Sequence, residues 1–223
     1  MTYFAILVAG GVGKRMGGDV PKQFLRIGEK TILQHSIERF RQAFPEIRIV
    51  VSLHADYLDF WKEEMETRSI PPLIALVAGG EERFHSIQNA LNVIRPDAQR
   101  EDIIGVHDAV RPMVTAETIR RCYHEAERHG SAVPVIPLKE SIREIHGDES
   151  HSVNRADFRI VQTPQCFRAE RIINAYEQEF HKGFTDDASV VESAGYSITL
   201  CDGNPENIKI TQPLDMVVAR ESL

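Results

Sequence analysis

The sequence has few of the features that mark disulfide-rich, zinc-binding or membrane-embedded proteins. Only three of its 223 residues are cysteines, and their odd number and wide spacing predict neither a disulfide framework nor a zinc motif. We expect Cys122, Cys166 and Cys201 to be buried thiols in a reducing cytoplasm. There is no signal peptide, long apolar run, repeat or low-complexity segment, and the first predicted strand begins almost at once. A cytoplasmic location is therefore expected.

Positive charge is scarce as well. The 26 lysines and arginines are outnumbered by 33 aspartates and glutamates, which gives a net charge of −7. This balance argues against non-specific binding to nucleic acid or to a membrane. The length and a hydrophobic content of 42% suit one globular α/β domain. Cations clustered near the amino terminus are therefore unusual against an acidic background.

The stretch from Phe4 to Lys22 carries the strongest local signal. Phe4–Val8 is a continuous apolar run, which is typical of a strand buried on both faces of a parallel sheet. The glycines that follow, Gly10, Gly11 and Gly13, leave no Cβ between the backbone and a ligand, and their N–H groups can form a nest for an anion. Three cations follow within the same stretch: Lys14, Arg15 and Lys22. The pattern predicts a phosphate site.

This loop is neither of the two commonest phosphate motifs. The Walker A pattern fails on both sides of Gly13-Lys14, and the dinucleotide fingerprint fails at Met16. What remains, G-G-x-G-x-R-M-x(4)-P-K, resembles the signature of sugar-nucleotide pyrophosphorylases and related nucleotidyltransferases. A solvated basic glycine turn is the alternative, and for a bare GGxG it would be preferred; R-M and P-K at this spacing favour the nucleotide.

A second glycine turn, Gly79–Arg83, follows the predicted strand Leu73–Ala78 and opens a helix. Open α/β sheets bind ligands where strands end in such turns. The two glycine turns could therefore converge on one nucleotide. Ser86 either caps its own helix or contacts that nucleotide, and the sequence does not separate these readings.

The predicted strand Ile103–His107 ends in His107-Asp108-Ala109-Val110-Arg111-Pro112. A buried carboxylate at this point needs a partner. Asp108 either pairs with Arg111 or contacts substrate hydroxyls or a metal, and its place beside two glycine turns favours the substrate. His107 is expected to be packed or hydrogen-bonded rather than a ligand.

The remaining pattern alternates between strands and helices, with one departure. We predict strands at Ile47–Leu53, Ser131–Pro137, Ile160–Phe167 and Ile198–Cys201, and helices at Asp56–Thr67, Thr115–His129 and Arg168–His181. Between Lys139 and Val161 two polar strands surround a turn at Gly147. Such a hairpin is marginal alone, so it is expected to pack on a second subunit. Arg155 by itself is a surface cation. The Asp186-Asp187 pair fits the first turn of a helix better than a metal site. Lys209 lies in a strand-like run, Asn207–Thr211, and is either exposed or a pocket cation.

Several separated motifs now point to one family. AGGVGKRM with PKQFL, GGEER, HDAVRP, VQTPQCF, TDDAS and ENIKIT occur in the order seen in 2-C-methyl-D-erythritol 4-phosphate cytidylyltransferases, so the sequence resembles these enzymes over essentially its full length. The resemblance implies a Rossmann-like nucleotidyltransferase α/β fold, with a mostly parallel mixed sheet, helices on both faces and a protruding β-arm. Residues 1–223 would form one domain, with 139–157 as a β-arm for homodimerisation.

The resemblance also implies a reaction and its cations. The phosphate of methylerythritol phosphate attacks the α-phosphorus of CTP and releases pyrophosphate, in non-mevalonate isoprenoid biosynthesis. The protein must align two phosphates and stabilise charge, for which cations are suited. In the family, Arg15 and Lys22 occupy the positions that stabilise the transition state. Arg155 from the partner's arm and Lys209 occupy those that hold the methylerythritol phosphate.

The remaining site positions also come from the resemblance. The implied nucleotide contacts are Ala9, Gly10, Gly11, Gly13, Gly80, Arg83 and Ser86. The implied contacts of the methylerythritol moiety are Asp108, Arg111, Thr185 and, across the dimer, Ser141, where the family more often has threonine. Mg²⁺ would be held mainly by CTP phosphates and water. No protein metal ligand is predicted, and Asp108 is the first candidate if one exists.

Two other functions stay open at this point. A ribitol 5-phosphate cytidylyltransferase would share the glycine loop, HDAVRP and QTPQ; TDDAS and VNRADF favour the methylerythritol enzyme. A non-catalytic nucleotide sensor on the same fold is the second alternative. It would not need all four cations, so their presence argues against it.

Overall fold

A computed structural model describes residues 1–11, 20–68 and 70–223. The strands are β1 (Tyr3–Ala9), β2 (Arg26–Ile27), β3 (Lys30–Thr31), β4 (Arg48–Leu53), β5 (Ala75–Ala78), β6 (Ile103–Asp108), β7 (Ser131–Pro137), β8 (Arg143–His146), β9 (Glu149–Ser152), β10 (Arg159–Val161), β11 (Gln165–Arg168) and β12 (Leu200–Asp202). The helices are α1 (Ile32–Ala43), α2 (Leu58–Thr67), α3 (Arg83–Ile94), α4 (Ala116–His129), α5 (Ala169–Ala175), α6 (Asp187–Ser193) and α7 (Pro213–Ser222).

The main sheet is mixed. Across the described ranges its order is β10-β7-β11-β6-β1-β4-β5, with β12 beside β7. Strands β6, β1, β4 and β5 pair in parallel, whereas β11 and β10 run antiparallel to their neighbours. The parallel strands all end at one edge, which brings the residues after β1, β5 and β6 together.

Alternate side chains of β1 enter two separate cores. Ala5 and Leu7 pack with residues of α1, α2 and α4, and Trp61 is fully buried there. Phe4 and Ile6 pack with residues of α3, α5 and α6 on the other face. Because both faces of a parallel strand are covered, β1 reads as a continuous apolar run.

Helix ends follow the expected capping chemistry. The Thr31 hydroxyl accepts from the Gln34 N–H and starts α1, and Thr115 starts α4 in the same way. Gly130 ends α4 with a φ of 83°, a left-handed conformation that glycine adopts without strain. Asp186 starts α6 through a capping box with Ser189.

Three predicted elements differ from the structure. The single strand Ile160–Phe167 is wrong: β10 and β11 are separate, because Pro164 has no N–H for a ladder. The helix Arg168–His181 is also too long. α5 stops at Ala175, after which Tyr176 turns inward to reach Asp187 and Gln178 Nε2 donates to the Ala175 carbonyl.

The third difference concerns residues 204–211, which we call the strap. The expected strand-like run there forms no ladder, and instead the Ile210 N–H donates to the Val110 carbonyl. Ile210 packs with Val110, Met113 and residues of α7 in a small third core. The strap thereby lies against the end of β6.

The predicted polar hairpin is present as β8 and β9, and every residue of both strands is exposed. Exposed apolar side chains accompany it, including Ile145 on β8 and Phe158 and Ile160 beyond its far end. Among the described residues, no helix has the length and apolarity needed to cross a membrane.

Candidate active site

The ends of β1, β5 and β6 surround a cavity of about 270 Å³. Both glycine turns, the end of β6 and the strap contribute to its wall. Its lining residues are Val8, Ala9, Gly10, Gly11, Lys22, Gln23, Gly80, Glu81, Glu82, Arg83, Ser86, Asp108, Val110 and Lys209. The structure therefore brings together most residues predicted for the nucleotide, with Lys22 and Lys209, two of the four cations predicted to be catalytic. Gly13 and Arg15 lie outside the described residues.

The first glycine turn is anchored by a residue that the sequence did not single out. Gln23 is buried, and its Nε2 donates to the Ala9 carbonyl at 2.8 Å. This bond fixes the point where β1 gives way to the glycines. Lys22, the neighbour of Gln23, starts a short 3-10 turn and reaches the cavity wall. The sequence signal that could have identified Gln23 is its position directly after the P-K dipeptide, Pro21-Lys22.

Ser86 joins the second glycine turn to its helix. Its hydroxyl accepts from the Gly80 N–H and donates to the Glu82 carbonyl, both at 3.1 Å. A Cβ built on Gly80 would collide with Cβ of His85, and one on Gly10 would lie 3.5 Å from Ser86 Oγ. Ser86 therefore bonds its own turn and also lies where the two glycine turns approach each other.

Asp108 lies within a cluster of three cations. Its Oδ2 is 3.0 Å from Lys209 Nζ and 3.5 Å from Arg111 Nε, and its Oδ1 is 3.5 Å from Arg83 Nε. Burial alone would raise the pKa of this carboxyl, but the charges of the three cations outweigh burial and hold it well below its usual range. Asp108 is therefore ionised at neutral pH. The predicted Asp108–Arg111 pair exists, as part of a larger network.

The strap positions two of these cations. Lys209 belongs to it, and the Arg111 Nη1 donates to the Asn207 carbonyl at 2.8 Å. The buried Asn207 side chain donates to the Thr163 carbonyl at 2.8 Å, which ties the strap to the β10–β11 connection. Asn207, within the ENIKIT motif, was not predicted as a site residue. The burial of its amide depends on the folded strap, so the sequence alone does not reveal it.

His107 supports the end of β6 without reaching the cavity. It is fully buried, its Nε2 donates to the Arg111 carbonyl at 3.2 Å, and its Nδ1 accepts from the Thr163 hydroxyl at 2.9 Å. The same hydroxyl accepts from the Asp108 N–H at 3.1 Å. Burial, which outweighs the nearby Asp108, lowers the pKa of His107 to about 4, so the ring is neutral. The prediction of a packed, hydrogen-bonded histidine is confirmed.

A second cavity of about 320 Å³ adjoins the first, and Arg83, Asp108 and Lys209 belong to the walls of both. Its other lining residues are Arg111, Val161, Gln162, Thr163, Gln165, Thr185 and Asp186. The structure thus places Arg111 and Thr185 in the wall of a cavity that Asp108 also lines. It does not bring in Ser141 or Arg155, which are exposed in the hairpin segment and line neither cavity.

The arrangement suits chemistry between two phosphorylated molecules. Two adjoining cavities share a wall of cations around one fixed anion. Glycine backbone and Lys22 line the first cavity, groups that suit the phosphates of a nucleoside triphosphate. The second cavity presents cations and the hydroxyl groups of Thr163 and Thr185. Such a wall can align two phosphates that would otherwise repel each other.

The family model described as IspD, 2-C-methyl-D-erythritol 4-phosphate cytidylyltransferase, matches residues 3–223. The chain belongs to this family. An IspD enzyme of this description from Bacteroides thetaiotaomicron is 45% identical over 218 residues, which is 98% of each chain, and one from Bacteroides fragilis is 44% identical over 219 residues. The crystal structure of the Francisella tularensis IspD enzyme superposes with a TM-score of 0.82 at 26% identity and covers both chains fully.

Membership of the IspD family decides between the predicted functions. The chain is a cytidylyltransferase with the nucleotidyltransferase fold, as the resemblance implied. The methylerythritol reaction is favoured over ribitol phosphate transfer and over a sensor without catalysis. The roles of the individual residues are proposed below.

Proposed function

We propose that this IspD enzyme transfers the cytidylyl group of CTP to 2-C-methyl-D-erythritol 4-phosphate. An oxygen of the acceptor phosphate forms a bond to the α-phosphorus of CTP, the bond from that phosphorus to the bridging oxygen breaks, and pyrophosphate leaves. The products are pyrophosphate and 4-diphosphocytidyl-2-C-methyl-D-erythritol, in non-mevalonate isoprenoid biosynthesis. The observation that carries the proposal is the pair of adjoining cavities with Asp108, Lys209 and Arg83 in their shared wall.

CTP is assigned to the cavity between the glycine turns. Backbone of Ala9, Gly10, Gly11 and Gly80 lines it, together with Ser86, and a backbone-lined pocket can accept a pyrimidine and exclude a purine by size. Lys22 in the same wall is assigned to the phosphates. Gly13 and Arg15, outside the described residues, retain the roles in phosphate binding and transition-state stabilisation that the family implies.

The acceptor is assigned to the second cavity. The Asp108 carboxylate can accept hydrogen bonds from the acceptor's hydroxyl groups, and the Thr185 hydroxyl lies in the same wall. Lys209 and Arg111 give this cavity the positive charge that a phosphate requires. No protein nucleophile is needed, because the acceptor phosphate is itself the nucleophile.

The acceptor site is proposed to be completed by a second subunit. Arg155 and Ser141 line neither cavity of their own chain, and Arg155 Nη1 donates to the Lys139 carbonyl within its own hairpin segment. Exposed Ile145, Phe158 and Ile160 offer apolar surface for a partner. Residues 139–157 are therefore proposed as the dimerisation arm that delivers Arg155 and Ser141 to the neighbouring site.

Mg²⁺ is proposed to arrive with CTP. Among the described residues, no three His, Cys, Asp or Glu side chains form a metal-binding group, and the Asp108 carboxylate already faces three cations. This donor set fits an ion held by phosphate oxygens and water. When bound, Mg²⁺ would neutralise charge on the triphosphate. A cytoplasmic location, where CTP is available and free thiols persist, belongs to the same proposal.

Product analysis tests the function. Phosphorus NMR of the enzyme with CTP, Mg²⁺ and methylerythritol phosphate should show a new pyrophosphate diester and free pyrophosphate in equal amounts. Omitting the acceptor should abolish both signals. If CTP binds but no pyrophosphate forms with any alditol phosphate, the protein is not the transferase proposed here.

A further inference from the structure

Asp187 is the one acidic residue of the TDDAS stretch that is fully buried. Its neighbour Asp186 caps α6, as an acidic residue at a helix start is expected to do. Asp187 instead points into the interior, where its Oδ1 and Oδ2 accept from Arg83 Nη1 and Nη2 at 2.8 and 2.6 Å. The Tyr176 hydroxyl also donates to Oδ1 at 2.6 Å. The sequence predicted only a favourable partner for the helix dipole.

This contact decides what Arg83 can do. Both terminal nitrogens of its guanidinium face Asp187, and Nε faces Asp108 Oδ1 at 3.5 Å. Its charge therefore lies between two carboxylates: Nη1 and Nη2 donate to Asp187, whereas Nε forms only an ion pair with Asp108. Arg83 is also the first residue of α3, directly after the glycine turn, and belongs to the walls of both cavities.

We propose that Asp187 is a positioning residue for the acceptor. By holding both terminal nitrogens of Arg83, it keeps the guanidinium charge 3.5 Å from Asp108 and so fixes the carboxylate that receives the acceptor's hydroxyl groups. The inference rests on the proposed function. It assigns Arg83 the role of orienting Asp108, whereas the resemblance implied that Arg83 contacts the nucleotide. Acceptor affinity, and not CTP affinity, then depends on Asp187.

The physical reason is that Asp187 is fully buried, while the Arg83 side chain, 30% exposed, lies between it and the cavities. Removing the charge of Asp187 leaves a partly buried guanidinium without its closest anionic partner, which is costly. The nearest remaining carboxylate is Asp108. Arg83 then turns its terminal nitrogens to Asp108 and occupies the oxygens that the acceptor needs, while the backbone of the CTP cavity is unchanged.

The first experiment uses the Asp187→Asn substitution in the full-length enzyme with Mg²⁺ and CTP. We expect the KM for methylerythritol phosphate to rise by about tenfold or more, and the Kd of CTP, measured by calorimetry, to change by less than about threefold. Tyr176→Phe is the matched control: it removes one hydrogen bond to the same carboxylate and leaves the ion pair, so both constants should stay within about threefold of the wild type.

A second variant separates positioning from a purely structural role. Arg83→Met with Asp187→Leu replaces both charges by apolar side chains, a change that stability often tolerates. A positioning role for Asp187 predicts a folded double variant whose KM for the acceptor stays raised, because the Arg83 guanidinium no longer orients Asp108. A structural pair predicts restored kinetics along with restored stability, and that result overturns the inference, as does an Asp187→Asn variant that alters CTP and acceptor equally or neither.

The wild-type enzyme distinguishes the two proposals. If it makes no pyrophosphate with CTP and any alditol phosphate, both the proposed function and the role of Asp187 are wrong. If the wild type is active and the variants behave as a structural pair, only the role of Asp187 is wrong.

Discussion

Lys209 Nζ lies 3.0 Å from Oδ2 of Asp108, which joins the strap to the end of β6. The two residues are distant in sequence. From the sequence alone, Lys209 could have been an exposed surface lysine, and Asp108 could have paired with Arg111 alone. Together with Arg83 they line both cavities. Lys209 retains 43% exposure of its side chain, so it can contact a ligand while it neutralises Asp108.

Replacing Lys209 by glutamine should lower kcat/KM for the acceptor by about 100-fold. The lysine is proposed to hold the acceptor phosphate, and glutamine keeps much of its length without its charge. Steady-state pyrophosphate release measures the effect.

Lys62→Gln is the control for this change. Lys62 is exposed on α2 and, within the described ranges, its one ion pair is with Asp59, a surface contact worth little. The Lys62→Gln substitution should leave kcat/KM for the acceptor unchanged. Equal behaviour of the two variants would contradict a catalytic role for Lys209.

Gly80→Ala should weaken CTP binding by about tenfold or more. The new Cβ collides with Cβ of His85, so the turn must shift and the Gly80 N–H loses its bond to Ser86 Oγ. Calorimetric titration with CTP checks this expectation.

Gly195→Ala provides a control that lowers stability away from the cavities. Gly195 has a φ of 87° after α6, where alanine costs about 1 kcal/mol. It should lower the melting temperature and leave CTP affinity unchanged. If CTP affinity falls equally in both variants, the loss at Gly80 reflects general destabilisation.

His107 should make the protein less stable in mild acid. Its pKa of about 4 in the folded chain lies below the ordinary value of about 6.5, so the unfolded chain takes up the proton first as pH falls. The free energy of unfolding should drop by about 2 kcal/mol between pH 7.5 and pH 5 through this residue alone. Stabilisation by Asp108, whose pKa is depressed, is lost only at lower pH.

Urea unfolding of the wild type and of His107→Gln at both pH values measures this effect. Glutamine does not titrate, so the stability of the variant should vary less with pH by about the same 2 kcal/mol. Parallel pH dependences of the two proteins would show that His107 is not the group responsible.

The local parts of the site were predictable, and the long-range contacts were not. The glycine turns, the capped helices and the end of β6 each follow from short-range rules of backbone geometry. The Arg83–Asp187 pair joins residues 104 positions apart, so each residue alone resembled a helix-start charge. The break between β10 and β11 had a visible signal in Pro164, whereas the early end of α5 depends on Tyr176 reaching Asp187.

Mixed dimers test the proposed arm. Arg155→Ala and Lys22→Ala should each abolish most activity alone, because every site then lacks one cation. A dimer with one subunit of each type should regain activity at one of its two sites, where the partner's intact Arg155 meets an intact Lys22. Co-expression with two affinity tags isolates such dimers. Their continued inactivity would contradict an arm that serves the neighbouring site.

The most direct test of the proposed reaction is the rate of pyrophosphate release with CTP and Mg²⁺. This rate is compared between methylerythritol 4-phosphate and ribitol 5-phosphate. The proposed acceptor cavity predicts that kcat/KM is higher for methylerythritol 4-phosphate by orders of magnitude. A preference for ribitol 5-phosphate would keep the fold and the CTP site, and would contradict the assigned acceptor and pathway.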